Sequence, residues 1–155
     1  SGDVNVDVIS NDVTCNTSSG DVNITTQSNN VNVNTASGDV QVSKCKKEIY
    51  VNTVSGDVKV NSENPEITVN TVSGDIEIDV NENKDLNVRG VSSDINIHIK
   101  EKKGSIELRT VSGEIQIDSY YKDSSKKISK SHDQSFSNDE IEISAATVSG
   151  DITVD

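Results

Sequence analysis

The sequence predicts an all-β protein, a single-stranded parallel β-helix (β-solenoid) of about eight coils with ~18 residues each. A Ser-Gly-Asp-(Val/Ile) motif recurs along the chain, and the glycines of its first five copies are spaced by 18 residues. Between the copies, β-branched residues alternate with polar ones, which is typical of strands with one buried face. We therefore expect stacked coils, each of which buries its apolar face only against its neighbours.

The motif marks one turn of every coil, and the residues in its glycine slot are Gly2, Gly20, Gly38, Gly56, Gly74, Ser93, Gly113 and Gly150. Gly20, Gly38, Gly56, Gly74, Gly113 and Gly150 are the predicted structural turn residues. A serine in this slot would cost about 1 to 2 kcal/mol if the slot requires positive φ. Either the slot tolerates negative φ, or Gly90, which replaces the usual Thr, helps to rearrange the turn.

Two strands are predicted in each coil, and their alternating apolar residues should form inward-facing pairs. The pairs after the motif are Val4/Val6, Val22/Ile24, Val40/Val42, Val58/Val60, Ile76/Ile78, Ile95/Ile97, Ile115/Ile117 and Ile152/Val154. The pairs before it are Val13/Cys15, Val31/Val33, Ile49/Val51, Ile67/Val69, Leu86/Val88, Ile106/Leu108 and Ile143/Ala145. The same periodicity predicts a column of Thr17, Thr35, Thr53 and Thr71 beside a ladder of Asn16, Asn34, Asn52 and Asn70.

The whole chain, residues 1–155, is expected to be one solenoid domain of a longer protein, because its first residues already lie within a repeat. Segment 119–139 loses the pattern, and we expect it to leave the solenoid surface; a degenerate coil is the alternative. It contains Tyr120, Tyr121 and Phe136, which are candidate binding residues because clustered aromatics supply contact area. They could equally hold the segment against the solenoid wall.

The charge composition excludes some partners. A formal net charge of -12 argues against nucleic acid and against an anionic membrane surface, since both require a basic face. No apolar run approaches the ~20 residues of a membrane span. The chain has no Lys or Arg before Lys44, and six lysines then crowd the turn opposite the motif: Lys44, Lys46, Lys47, Lys100, Lys102 and Lys103. They either discourage edge pairing or form a binding edge.

The repeat Ser-Gly-Asp-(Val/Ile)-x-(Val/Ile), preceded by Thr-Val, resembles a family of bacterial adhesin-like domains of unknown function. The resemblance covers nearly the whole chain. It implies a right-handed parallel β-helix and an extracytoplasmic setting in the cell envelope or at the cell surface. It brings no catalytic residues to this sequence.

Repetition should align one carboxylate per coil, which makes the column Asp21, Asp39, Asp57 and Asp75 a candidate calcium ladder. Local capping of backbone N–H groups by the same carboxylates is the favoured alternative, so no metal or other cofactor is expected.

Enzyme chemistry is not expected. His98 and His132 have no spaced His or Cys partner for zinc, and no nucleophile or phosphate-binding motif occurs. Cys15 substitutes for a core valine, whereas Cys45 lies in the lysine-rich turn, so the two thiols are predicted to be free.

The sequence therefore predicts a non-catalytic structural and interaction module of the cell envelope, whose partner is an unidentified envelope protein or glycan. One alternative is a scaffold that self-associates end to end, because no polar cap is evident at either terminus. A polysaccharide-binding or polysaccharide-cleaving β-helix is the other.

Overall fold

The computed structural model describes residues 2–9, 11–63, 65–82, 85–101, 105–112, 115–117, 128–130 and 142–155. These residues form strands and no helix. In chain order the strands are β1 (Val4–Val8), β2 (Asp12–Thr17), β3 (Val22–Thr26), β4 (Asn30–Ser37), β5 (Val40–Ser43), β6 (Glu48–Ser55), β7 (Val58–Ser62), β8 (Glu66–Asn70), β9 (Ile76–Glu82), β10 (Leu86–Arg89), β11 (Ile95–Glu101), β12 (Ser105–Ser112), β13 (Ile115–Ile117), β14 (Ile128–Lys130), β15 (Glu142–Ser149) and β16 (Ile152–Val154).

The strands build two sheets of eight strands, and all the pairings are parallel. Sheet 1 has the order β1-β3-β5-β7-β9-β11-β16-β13, and sheet 2 has the order β14-β12-β15-β10-β8-β6-β4-β2. In the first coils each residue pairs with the residue 18 positions further on, as in Val22↔Val40 and Val40↔Val58. The predicted all-β parallel solenoid is confirmed.

The core is a thin double column of aliphatic side chains. Every predicted pair from Val22 to Val69 is at most 1% exposed, and the pairs of β9, β10, β11 and β16 are buried as well. Val4, Val6 and Val13 of the first coil are only partly buried. Full burial of one such side chain stabilises by about 1.5 to 3 kcal/mol. In the described part of the chain the buried core residues are aliphatic or cysteine, so each coil adds a similar, small amount of buried apolar surface.

The polar columns also follow the prediction. The side-chain amide of Asn34 donates to Asn16 Oδ1 at 3.0 Å, and that of Asn52 donates to Asn34 Oδ1 at 3.0 Å. Asn70 extends the ladder by donating to Asn52 at 2.9 Å. In the neighbouring column the hydroxyl of Thr53 donates to the carbonyl oxygen of Ser55 at 3.3 Å. The Asn ladder fixes the register between coils, since a slip by one residue would break every amide contact, whereas the Thr hydroxyl bond holds the turn within one coil.

The stacking order departs from the prediction after β11. About five coils stack in chain order, not eight, because β15 and β16 lie directly on β10 and β11 while β12 and β13 lie one place further out. The last repeat retains the complete Ser-Gly-Asp motif, and the N–H of Asp151 donates to the Asp94 carboxylate at 2.8 Å. The repeat of β12 and β13 has Glu114 in that slot. The last repeat therefore continues the hydrogen-bond ladder of the motif.

Part of the segment that was expected to leave the solenoid contributes a strand. β14 pairs in parallel with β12 at the end of sheet 2, with Ile128 opposite Leu108. This pairing favours the degenerate-coil alternative for Ile128–Lys130. The other residues of 119–139, including Tyr120, Tyr121 and Phe136, lie outside the described residues.

Both cysteines are free and buried. Cys15 lies in the core as predicted, at 7% exposure, and burial raises the pKa of its thiol. Cys45 is more buried than its place in a lysine-rich turn suggested, at 2% exposure. It reaches the core because Lys44 adopts a left-handed φ of 63°, which turns the chain inward. Burial likewise raises the pKa of the Cys45 thiol.

Two valines of one coil provide a matched test of the core. Val69 is 0% exposed, whereas Val72, three residues later, is 49% exposed. Val69→Asp should abolish folding because it places an unpaired charge in a dry core, at a cost of several kcal/mol. Val72→Asp should change the free energy of unfolding by less than about 1 kcal/mol. Circular dichroism during urea titration measures both, and equal destabilisation would contradict the inward-facing assignment.

Candidate functional site

The Ser-Gly-Asp edge, defined as the stacked turns at Gly20, Gly38, Gly56, Gly74 and Gly150, is built from backbone packed on backbone. These glycines have φ between 111° and 134°, a conformation that side chains rarely adopt. A Cβ added at Gly56 would lie 2.3 Å from the carbonyl oxygen of Gly38. The glycines are therefore required both for their φ values and for the close stacking of the turns. Gly113 lies outside the described residues.

The aspartates of this edge cap the turn of the next coil. The Asp21 carboxylate accepts the N–H of Asp39 at 3.0 Å, that of Asp39 accepts the N–H of Asp57 at 2.9 Å, and that of Asp57 accepts the N–H of Asp75 at 2.8 Å. The Asp75 carboxylate accepts the N–H of Asp94 at 3.2 Å. The local-capping alternative therefore describes what these carboxylates do in the structure.

In the Asp column, the repulsion between neighbouring carboxylates and the stabilisation by their hydrogen bonds are of similar size. Unit charges ~4.8 Å apart repel by about 3 kcal/mol at an effective dielectric near 20, before salt screening reduces the repulsion. A hydrogen bond to a charged group contributes about 1.5 to 3 kcal/mol. One cap per carboxylate is thus large enough to offset the repulsion between neighbours. In the described part of the chain, no group of three or more His, Cys, Asp or Glu side chains is arranged to hold a metal ion.

The coil with Ser93 in the glycine slot has a compensating change. Among the described non-glycine residues only Lys44 has positive φ, so Ser93 occupies the slot with an ordinary backbone conformation. Its side chain is buried at 3% exposure and fills the space that a side chain at Gly90 would need. A Cβ at Gly90 would lie 2.6 Å from Ser93 Cβ. The two departures from the repeat are therefore a coupled pair.

A column of exposed valines runs beside the Ser-Gly-Asp edge, although the sequence analysis did not identify it. Val54, Val72, Val91 and Val148 are 44% to 54% exposed. They occupy one position of the repeat, and the bridges Ser55↔Ser73, Ser73↔Ser92 and Ser92↔Ser149 hold the adjacent residues in register. The sequence does contain a signal for this column: in Thr-Val-Ser-Gly, the Val follows an inward-facing Thr, so the alternation along the strand places it on the outer face.

The far-edge cleft is a concave surface of the described residues, and it lies opposite the Ser-Gly-Asp edge where the strands of sheet 1 end. Its volume is about 780 Å³. Lys44, Lys46 and Lys100 line it, so the structure brings together half of the predicted lysine edge. Lys47 is not in the lining, and Lys102 and Lys103 lie outside the described residues.

Polar residues that sequence reasoning missed complete the cleft: Gln27, Asn61, Ser62, Glu63, Asp79, Asn81 and His98. They come from successive coils at the end of sheet 1, so alignment of the repeats at this edge would have identified them. His98, which is partly exposed, contacts the Asp155 carboxylate through its Nδ1 atom.

Comparison with known proteins identifies the class of the chain. Its fold is a parallel β-solenoid whose polar columns bond one coil to the next. The chain matches the Toastrack DUF4097 family over residues 1–155 and belongs to that family.

Neither the comparison with curated proteins nor the comparison with solved structures gave a match. Among the described residues, no helix is long and apolar enough to cross a membrane.

Variants of Asp57 distinguish capping from metal binding. Asp57→Asn retains an oxygen acceptor and removes a charge, so its stability should equal or exceed that of the wild type. Asp57→Ala removes the same charge and also the acceptor, so its free energy of unfolding should be about 0.5 to 1.5 kcal/mol lower than that of Asp57→Asn. Chelator should leave the melting temperature of the wild type within a few degrees. Equal losses in both variants, with a calcium-dependent rise in melting temperature that persists in high sodium chloride, would instead indicate a metal ladder.

A double-mutant cycle tests the Gly90–Ser93 pair. Gly90→Thr alone should destabilise by about 1 to 3 kcal/mol, because the new side chain overlaps Ser93. Combined with Ser93→Gly, which restores the residues of the other coils, the same substitution should cost less than about 1 kcal/mol. Chemical denaturation provides the four free energies, and additive effects would show that the two positions are independent.

Proposed function

We propose that the chain is a non-catalytic structural and interaction module of the cell envelope or cell surface that acts in an adhesin-like manner. The supporting observation is that the polar side chains that recur most regularly, those of the Asp and Asn columns, join one coil to the next. The Asp column caps backbone N–H groups, and the Asn column forms an amide ladder. Side chains that are engaged in this way build a stiff scaffold, and contact with a partner is left to the remaining surface.

Two surfaces of the scaffold are available for contact, namely the exposed valine column and the far-edge cleft. Each is built from several successive coils, so its spacing is set by the ~4.8 Å distance between strands. Groups held on a rigid scaffold bind with little loss of conformational entropy. This property suits a module that contacts an extended partner.

End-to-end self-association remains the second candidate function. Successive coils pair in parallel with one constant register, as in Val22↔Val40 and Val40↔Val58. A second copy of the chain would stack on the solenoid by the same strand pairing. Light scattering on a longer form of the protein tests the idea, because particle mass should rise with concentration only if copies stack.

The main proposal is tested by fractionation and binding. We expect the protein to accompany the envelope fraction of the cells that make it, to be cleaved by protease added outside intact cells, and to bind isolated envelope material. Incubation with envelope polysaccharide should release no reducing ends. The unfolded Val69→Asp variant is the control for nonspecific binding. Recovery in the cytosolic fraction, or release of reducing ends by the folded protein alone, would contradict the proposal.

A further inference from the structure

The shape of the far-edge cleft follows from strands of unequal length. β5 ends at Ser43, whereas β9 and β11 continue to Glu82 and Glu101. After β5 the chain turns inward at Lys44, and Cys45 enters the core. Because the chain turns inward after β5 while β9 and β11 extend further, a recess forms between them, and this recess is the far-edge cleft.

Hydrogen bonds fix the inward step. The N–H of Lys44 donates to the carbonyl oxygen of Asn61 at 3.0 Å, and the N–H of Cys45 donates to Ser62 Oγ at 3.2 Å. The N–H of Lys46 donates to the carbonyl oxygen of Ser28, in the preceding coil, at 3.0 Å. Because these hydrogen bonds hold the backbone of the cleft, binding requires little further ordering of it.

The positive charges of the cleft lie at two levels along the solenoid. Lys44 and Lys46 belong to the coil of β5, and Lys100 belongs to the coil of β11. Three inter-strand steps separate these levels, which corresponds to about 14 Å.

These ammonium groups are not neutralised by partners of their own. Within the described residues, no carboxylate lies within ion-pair distance of Lys44, Lys46 or Lys100. By contrast, Lys59 on the open face of sheet 1 pairs with Glu77 at 2.7 Å. The three ammonium groups outnumber the two carboxylates of the lining, Glu63 and Asp79, so the cleft is more favourable to anions than the rest of a chain with a net charge of -12.

The middle of the cleft has a different chemistry. Asn61 and Asn81 supply amide donors and acceptors, and Glu63 and Asp79 supply carboxylate acceptors. Amides and carboxylates together are suited to bind hydroxyl groups, which both donate and accept. Among the described residues that line the cleft none is aromatic, so they offer no platform for stacking nucleobases.

We infer that the far-edge cleft binds a linear, hydroxyl-rich polymer carrying anionic groups, with its hydroxyls against Asn61, Asp79 and Asn81 and its anionic groups near the two lysine levels. This inference rests on the proposed interaction function and specifies its site and ligand class. The anionic groups are carboxylates or phosphates, because a lysine ammonium binds either as a point charge. The binding should be salt-sensitive, and it should require a ligand long enough to span about 14 Å.

The experiment compares two acidic polymers with a neutral one. Calorimetry of the folded protein with oligogalacturonate, poly(glycerol phosphate) and dextran of similar length should show binding of at least one acidic polymer and none of dextran. The acidic monomers should bind at least about tenfold more weakly, because they cannot reach both lysine levels. Which acidic polymer binds more tightly identifies the anionic group.

Matched lysine variants test the site. Lys44→Gln/Lys46→Gln should weaken binding by about tenfold or more, whereas Lys47→Gln/Lys59→Gln, which removes the same charge outside the cleft, should stay within about twofold. Both pairs lie at the surface, and unchanged melting temperatures would show that both variants fold. Equal losses in the two variants, or no binding of either acidic polymer, would overturn the inference. If the wild type still binds envelope material in that case, the proposed function stands and only its assignment to this cleft fails.

Discussion

Burial of two aliphatic side chains per strand against the coils above and below is the interaction on which the rest of the structure depends. A coil such as β5–β6 has no core of its own, because its apolar pairs become buried only when β3–β4 and β7–β8 cover them. The period of 18 residues brings these pairs into register, and register in turn creates the Asp and Asn ladders. The ladders do not drive stacking, but they penalise any slip of one coil against the next.

The sequence alone predicted the features that depend on local periodicity. The glycine spacing specified the coil, and the alternation of residues such as Ile67 and Val69 specified the buried face. The sequence did not predict which of two similar repeats stacks next in the solenoid. Residues of β12–β13 and β15–β16 have similar patterns, and only the packed structure shows that β16 lies next to β11.

The candidate site was less predictable than the fold. The lysine edge was visible as a run of charges, but the inward turn at Lys44 that makes it concave is a backbone property without a sequence signature. Likewise, Gly90 and Ser93 appear in the sequence as two separate departures. In the structure the two departures compensate each other, because the Ser93 side chain occupies the space that a side chain at position 90 would need.

The two edges of the solenoid have different roles. At the Ser-Gly-Asp edge, backbone lies against backbone, so each turn must keep the conformation of the turn below it. At the far edge, strands such as β5 and β9 end at different points, so the surface can vary without disturbing the stack. The uniform edge therefore holds neighbouring turns together, and the variable edge carries the cleft for which we propose a recognition role.

The most direct test of the in-register stack is measurement by NMR of scalar couplings across backbone hydrogen bonds. The in-register stack predicts couplings from the amide nitrogen of Val22 to the carbonyl carbon of Asp39 and from Val40 to Asp57, since these N···O distances are 2.8 Å. It also predicts a coupling from Ile95 to Asp151, across 2.7 Å, at the point where the last repeat enters the stack. Couplings between adjacent strands of one coil, as in antiparallel hairpins, would contradict it.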